Sequence, residues 1–389
     1  MLHIDRQLDR QVLHAARGFS ALIVTGPRRA GKTTMLRHLF PRASYILLED
    51  PAVVARVRSD ADGFLSELKR PVILDEVQNA PLLFNHVRAL IDADPGRKGQ
   101  WLFTGSQEAG LMKGVTESMA GRAALLQLLP LSTRETSKVT VFRGGFPEVL
   151  VRPSIRPLWF QSYLQTYLER DVRAISSIRD LATFRKFLAL LASRCGQILN
   201  KTDLAAPLGV SVHAITEWLS ILEVTGQILL VPPFFDNFGK RLIKSPKVYF
   251  VDSGLVCHLL GIDSELALRR SPFLGAIWEG FVASEIVKQQ LNAGRARELY
   301  FFRDQQGLEV DFIVPRGNGR VALVEAKAGR TVMPRDGGPI ARLAQAAGHH
   351  AVNGFVVHQP SATSAVTTAL LPGVKAVGLV DLLAALAHR

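Results

Sequence analysis

Cysteine is scarce in this chain. Cys195 and Cys257 are the only two among 389 residues, and no paired Cys or Cys/His spacing accompanies them. That excludes a disulfide framework and a zinc site of ordinary spacing, and it fits a reducing compartment. Long apolar runs are also missing, since no stretch approaches the ~18 residues a membrane helix needs. The opening MLHIDRQLDRQ is polar and mixed in charge, unlike a secretory signal. There is no internal repeat and no low-complexity tract. These absences set the expectation of a soluble, cytoplasmic protein with no membrane partner.

What is present describes a globular chain. At 389 residues it is too long for one ordinary core, so two or three domains are expected. Hydrophobic residues make up 48% and charged ones 21%, far from the disordered regime. The net charge is +13 and the pI about 10.1. The excess divides as +4 over 1–130, +6 over 131–262 and +3 over 263–389. Such a field attracts polyanions, nucleic acid above all, although Arg-rich solvated faces would give the same balance.

Short apolar runs alternate with amphipathic stretches in the first third: Ala21–Thr25, Tyr45–Leu48, Val72–Leu74, Trp101–Thr104 and Leu125–Leu129. Runs of this length between turn signals predict strands buried on both faces of a parallel sheet, an α/β domain over 1–130. Helical spacing then dominates over Leu158–Val172 and Thr183–Ser193, a connecting segment ending near 195. A block over 196–263 reads as two helices and a β-hairpin. Strand-like runs return over 264–389 at Leu299–Phe302, Val310–Val314, Val321–Glu325 and Asn353–Val357.

Residues 26–33 read GPRRAGKT, the G-x-x-x-x-G-K-[ST] pattern of a phosphate-binding loop. Its context supports it, because a strand-like run leads in and a helical stretch leads out. Gly26 and Gly31 let the backbone curl through Pro27, which has no N–H, so that Arg28, Arg29 and Ala30 turn their N–H groups onto a phosphate, and the helix N-terminus adds positive potential. Lys32 would reach the β- and γ-phosphates, the Thr33 hydroxyl would ligate magnesium, and Thr34 would support the α-phosphate side. Arg28 and Arg29 lie inside the loop, and either could meet phosphate or a partner.

The partner strand is VILDE, 72–76. Asp75 at its end suits a magnesium ligand and Glu76 a base that polarises the attacking water. After the strand Trp101–Thr104, either Ser106 or Gln107 could sense the γ-phosphate, or the residues could form a simple turn. Arg122 could stabilise transition-state charge, in its own subunit or a neighbour's, or form a surface salt bridge. The expected ligands are therefore ATP and Mg2+.

Residues 202–222, TDLAAPLGVSVHAITEWLSIL, read as a helix, a turn at Gly209 and a second helix with Val212, Ile215, Leu219 and Leu222 inward. The runs ILLV and KVYFVD that follow complete the order of a winged helix. Lys240, Arg241, Lys244 and Lys247 would bring the wing to duplex backbone phosphates. The exposed helix face offers Ser211, His213, Thr216, Glu217 and Ser220, with no Arg or Lys for guanine edges. Contact with double-stranded DNA and contact with a protein partner both stay open.

In the last block Asp311, Glu325 and Lys327 form a D-x13-E-x-K pattern on strand-like runs, and Glu279 offers a further carboxylate. The chemistry would have Asp311, Glu325 and Glu279 hold a divalent ion that activates water, with Lys327 stabilising the developing phosphorane charge.

Together GPRRAGKTT (26–34), VILDEVQNAP (72–81), FTGSQ (103–107), AGR (120–122), PLS (130–132), GGFPEVL (144–150), YLERDV (167–172), YFVDSGL (249–255), WEGFV (278–282), EVDFIV (309–314) and VEAKAG (324–329) resemble one family. It is the family of bacterial and archaeal AAA-type ATPases with a C-terminal domain of unknown function, and the resemblance covers nearly the whole chain. It implies an ATPase core, a winged-helix segment and a restriction-endonuclease-like (PD-(D/E)xK) fold, with Asp311, Glu325 and Lys327 at the nuclease-like positions. Thr133 departs from the pattern, standing where an aromatic residue is usual after PLS. The function expected is a nucleotide-driven switch acting on DNA or a protein partner, with homo-oligomers possible. The alternatives are an ATP-gated metal-dependent nuclease and a non-catalytic, nucleotide-regulated binding module.

Overall fold

The structure is a computed structural model describing residues 4–105, 118–168, 181–234, 244–347, 351–359 and 368–387. Its first region is a sheet of β1 (Ala21–Thr25), β2 (Ser44–Leu47), β3 (Val72–Asp75), β4 (Trp101–Thr104) and β5 (Ala123–Gln127). They run in the order β2-β3-β4-β1-β5, with every adjacent pair parallel. The two-residue period of a strand divides the core. Ala21, Ile23, Val72, Leu74, Trp101 and Phe103 pack on one face with Phe64 and Phe84. Leu22, Val24, Ile73 and Leu102 pack on the other with Leu8, Val12, Met35 and Leu36.

The central strands β1, β3 and β4 are buried throughout, as continuous apolar runs require. β2 and β5 are edge strands and only half covered. β5 also begins two residues earlier than its apolar run. Leu128 and Leu129 are buried beyond the strand end, because the chain there folds back over the loop after β1. At that crossing a Cβ on Gly26 would lie 2.0 Å from the Leu128 carbonyl oxygen, and Gly26 has φ +139°.

The middle region is mainly helical. Phe146, which opens the helix Pro147–Val151, is fully buried against Trp159, Phe160 and Tyr163 of the helix Arg156–Tyr163, at centroid distances of 4.9, 6.2 and 5.0 Å. One π-helical turn, Leu164–Leu168, follows. The helix Lys201–Ala205, continued by a 3-10 turn to Leu208, meets the helix Val212–Val224 across Gly209 at 112°, and the two N-termini are capped by the Asn200 and Ser211 side chains. Ile215, Leu219 and Leu222 face inward as expected. Val212 does not, being 43% exposed. It is the first residue of its helix, and a first-turn side chain leans back past the N-terminus, away from the core. β6 (Ile228–Val231) and β7 (Lys247–Phe250) then pair antiparallel.

The last region is a six-stranded mixed sheet in the order β12-β13-β11-β10-β9-β8. Its strands are β8 (Tyr300–Arg303), β9 (Glu309–Pro315), β10 (Arg320–Lys327), β11 (Ala351–His358), β12 (Thr368–Leu371) and β13 (Val374–Val377). The 19-residue helix Leu274–Asn292 lies across one face and is buried along nearly its whole length. The helix Gly338–Ala346 covers the other. β12 is a short edge strand whose exposure erased the apolar signal, and β13, paired on both sides, is a four-residue run broken by the exposed Lys375. Among the described residues no single helix is long and apolar enough to cross a membrane.

Phe146→Ala should cost about 3–5 kcal/mol, the usual loss for a fully buried aromatic. The measurement is the denaturation midpoint followed by Trp159 fluorescence, which reads the same cluster.

Candidate functional site

The loop after β1 leads into the helix Lys32–Leu39, and Gly31 caps that helix in a left-handed conformation at φ 101°. Arg29 is also left-handed, at φ 62°. Lys32 is buried and donates to the Gly26 and Pro27 carbonyls, both at 2.9 Å. Its ammonium is thus curled inside the loop that its motif predicts for phosphate. Arg29 and Thr34 are exposed beside it, whereas Ala30 is buried.

Asp75 closes β3 and collects donors from three directions. The Thr33 hydroxyl lies 2.8 and 3.0 Å from its two oxygens. The Tyr45 hydroxyl donates from β2 at 2.8 Å, and Thr104 donates from β4. Burial, then the bond to Asp75, holds the Tyr45 hydroxyl firmly protonated. Thr33 and Asp75, a hydroxyl and a carboxylate in contact beneath a phosphate loop, are a donor set that fits magnesium.

Glu76 follows in a left-handed conformation, φ 59°. Gln78 donates to its carboxylate, and Arg28 approaches it at 3.5 Å. Arg28 also stands 3.8 Å from Glu49. Ser106 and Gln107 lie outside the described residues.

Within its own chain Arg122 takes the salt-bridge alternative. It precedes β5, whose first residue pairs with Ala21, the first of β1. The phosphate loop leaves the other end of β1, about 13 Å away at the usual strand rise. Arg122 instead grips Asp92 in a two-pronged pair of 2.6 and 2.9 Å, which holds that carboxyl below its usual range. It does not reach phosphate within its own chain.

Sequence patterning missed a clamp behind the loop. Arg6 is buried and donates to the Ala30 carbonyl at 2.8 Å, the Leu129 carbonyl at 2.6 Å and Glu135 at 2.9 Å. Although burial opposes ionisation of Glu135, Arg6 and backbone N–H groups prevail and hold its carboxyl below the usual range. Ser132 donates to the same carboxylate through its backbone N–H at 2.8 Å and its hydroxyl at 3.0 Å. That S-x-x-E spacing was a readable sign; Arg6 carried none.

The same segment reaches the last region. Thr133 donates to Glu285 through its N–H and hydroxyl at 2.8 and 2.6 Å, and Lys288 bonds Glu285 at 3.0 Å and the Leu131 carbonyl at 3.1 Å. On the opposite side Gly226, after the helix Val212–Val224, packs on Pro27 so closely that a Cβ would lie 3.1 Å from its ring.

The second group of interest is acidic. Asp311 on β9 and Glu325 on β10 stand on neighbouring strands, and Glu279 projects from the long helix. Lys247, expected on a wing, is not available to a duplex. It is buried, with its ammonium 3.0 Å from Glu279, 2.6 Å from Glu309 and 3.6 Å from Asp311. Burial disfavours its charge, but these carboxylates prevail and raise its pKa. A buried ammonium must be paired, and that requirement draws it inward. Lys244 is exposed, and Lys240 and Arg241 lie outside the described residues.

Tyr249 donates to Glu279, the Ala326 N–H donates to Asp311 at 2.8 Å, and Lys327 bonds one oxygen of Glu325 at 2.8 Å. The other Glu325 oxygen is buried without a partner. Among the described residues no three His, Cys, Asp or Glu side chains are arranged to hold a metal ion.

Residues 18–137 match an AAA domain family, 134–266 a domain of unknown function, DUF8612, and 274–372 another, DUF4143. The uncharacterised proteins Mb2031c of Mycobacterium bovis and Rv2008c of Mycobacterium tuberculosis are each 36% identical over 314 residues, spanning 78% of this chain and 69% of theirs. The chain belongs to their family. It is an AAA-type P-loop ATPase with a C-terminal DUF4143 domain. The uncharacterised protein MJ1544 of Methanocaldococcus jannaschii is 23% identical over 335 residues, covering 75% of this chain and 71% of that one. Among solved structures, a Walker-type ATPase of Pyrococcus abyssi has TM-score 0.42 and 13% identity over 66% of this chain and 96% of its own. A Signal Transduction ATPase with Numerous Domains from Pyrococcus horikoshii, with a tetratricopeptide repeat sensor, has TM-score 0.22 and 11% identity over 76% and 48%. Both likenesses are distant.

Burial, then the charge of Asp311, pushes the Glu325 carboxyl from 4.5 up to about 8 and that of Glu279 from 4.5 up to about 7. Between the unfolded value and these folded values the native chain holds protons that the unfolded chain has released. Unfolding free energy therefore falls as pH rises through that window. Denaturation midpoints at pH 5 and pH 8 should differ in that sense for the unaltered ATPase, and Glu325→Gln should shrink the difference.

Proposed function

We propose that this P-loop ATPase hydrolyses ATP with magnesium and works as a nucleotide-driven switch. The observation that carries the reading is the Thr33–Asp75 contact of 2.8 Å beneath the GPRRAGKT loop. Thr33 and Asp75 would hold magnesium, which when bound offsets charge on the β- and γ-phosphates. Lys32 exchanges the Gly26 and Pro27 carbonyls for phosphate oxygens, gaining stronger, charge-assisted bonds. The loop N–H groups and the N-terminus of the helix Lys32–Leu39 receive the remaining phosphate charge.

Arg28 ties Glu76 to the loop. A γ-phosphate competes for that guanidinium, and its departure frees the Glu76 carboxylate to take a proton from the attacking water. Gln78 keeps the carboxylate oriented meanwhile. Ser106 or Gln107 is proposed as the γ-phosphate sensor, following β4.

The remainder of the chain is proposed to transmit nucleotide state to a target. The helix pair meeting at 112° and the β6–β7 ladder support a winged-helix reading. Asp311, Glu325 and Lys327 on adjacent strands of the mixed sheet support a nuclease-like fold. The target is double-stranded DNA, met through Lys240, Arg241 and Lys244, or a protein partner. Binding that weakens steeply with salt distinguishes DNA.

Calorimetric titration with ATP and a phosphate-release assay test the reading together. Lys32→Ala should abolish binding. Glu76→Gln should keep binding while turnover falls by about 10²–10⁴. Turnover in Glu76→Gln equal to that of the unaltered chain would remove Glu76 from the mechanism.

A further inference from the structure

A nuclease-like arrangement of Asp311, Glu325 and Glu279 implies a divalent ion, yet the residues present do not fit one as they stand. Oxygen ligands must close to about 2.0–2.6 Å on Mg2+ or Ca2+. Here Glu279 and Glu309 stand at N–H···O distance from an ammonium, 3.0 and 2.6 Å, and Asp311 pairs with its charge at 3.6 Å. Asp311 spends its other oxygen on the Ala326 N–H. Lys327 takes one oxygen of Glu325, and Arg303 approaches Glu309 at 3.3 Å. A second cation brought into this group would stand within a few ångströms of Lys247 and be repelled by it.

The origin of that cation matters. Glu309, Asp311 and Glu325 belong to β9 and β10 of the six-stranded sheet, whereas Lys247 begins β7, the partner of β6 in the preceding region. The positive charge is therefore delivered from outside the sheet that supplies the carboxylates. One atom is left over: the second Glu325 oxygen, buried and without a partner, which an ammonium reaching from β7 does not satisfy but a coordinated ion would.

We infer that Lys247 is an internal cation occupying the metal position of the Asp311–Glu325 cluster, so that the cluster is a salt-bridged latch between the β6–β7 hairpin and the last sheet, and becomes a divalent-cation site only when Lys247 is withdrawn. The latch shuts the place where Asp311 and Glu325 would assemble metal-dependent phosphodiester chemistry. It does not depend on the ATPase reading, because it involves no residue of the phosphate loop.

Manganese binding to the full-length, nucleotide-free chain tests this by electron paramagnetic resonance. Omitting nucleotide keeps the Thr33–Asp75 pair from holding an ion through a bound triphosphate. The unaltered chain and Glu325→Gln should bind manganese indistinguishably. Lys247→Ala, or Lys247→Met if loss of the long side chain impairs folding, should tighten manganese binding by about tenfold or more, the scale of single-partner changes around metal sites. Adding Glu325→Gln to either variant should cancel the gain. Circular dichroism establishes that each variant is folded. The inference is overturned if the unaltered chain already holds a manganese ion that Glu325→Gln removes, or if a folded Lys247 variant gains none. Should neither Lys247 variant fold, the comparison of the unaltered chain with Glu325→Gln decides the occupancy of the cluster alone.

Discussion

The Asp75 carboxylate is the point on which the nucleotide site depends. Its strand β3 is separated from the loop-bearing strand β1 by β4, so no backbone ladder fixes it relative to Thr33. The distance is set by side chains instead: Tyr45 from β2 and Thr104 from β4 hold the carboxylate from both flanks while Thr33 approaches from the helix after the loop. A parallel sheet with strand ends aligned at one edge makes this convergence possible, because every loop after a strand emerges at that edge. The same geometry sets Arg122 at the far edge of the sheet, where Asp92 holds it.

Charge sealed from water governs the rest of the molecule. Arg6, Glu135, Glu285, Lys288 and Lys247 are all buried or nearly so, and each is answered by an opposite charge or by carbonyls. A buried ion pair adds little net stability, but losing one partner is costly, so such pairs specify arrangement. Here they specify how regions sit together. Arg6 and Glu135 fasten the segment after β5 to the loop. Two residues earlier in that segment, Thr133 fastens it to the helix Leu274–Asn292, which also carries Glu279. The place where the resemblance expects an aromatic residue is thus filled by a hydroxyl with a buried carboxylate to bond.

The phosphate loop was legible because its chemistry is local. Gly26, Gly31, Lys32 and Thr33 act within one turn of chain, and the apolar run ending in Asp75 marks a strand end without help from the fold. Strands covered on both faces were legible for the same reason, while β12, exposed at the sheet edge, and β13, only four residues long and broken by Lys375, were not. Arg6 was invisible because its meaning depends on Glu135, 129 residues away. Lys247 was misread because a count of basic residues does not distinguish a solvated lysine from one drawn inward by carboxylates that only the fold assembles.

The contact between Gly226 and Pro27 gives the phosphate loop a second surface. Its inner side is the lining of the nucleotide pocket, and its outer side is the seat of the turn that joins the helix Val212–Val224 to β6. A proline ring is stiff, and a glycine with no side chain leaves nothing compressible between the two backbones. The loop after β1 and the turn that opens β6 therefore meet directly, with no soft side chain to absorb a displacement of either.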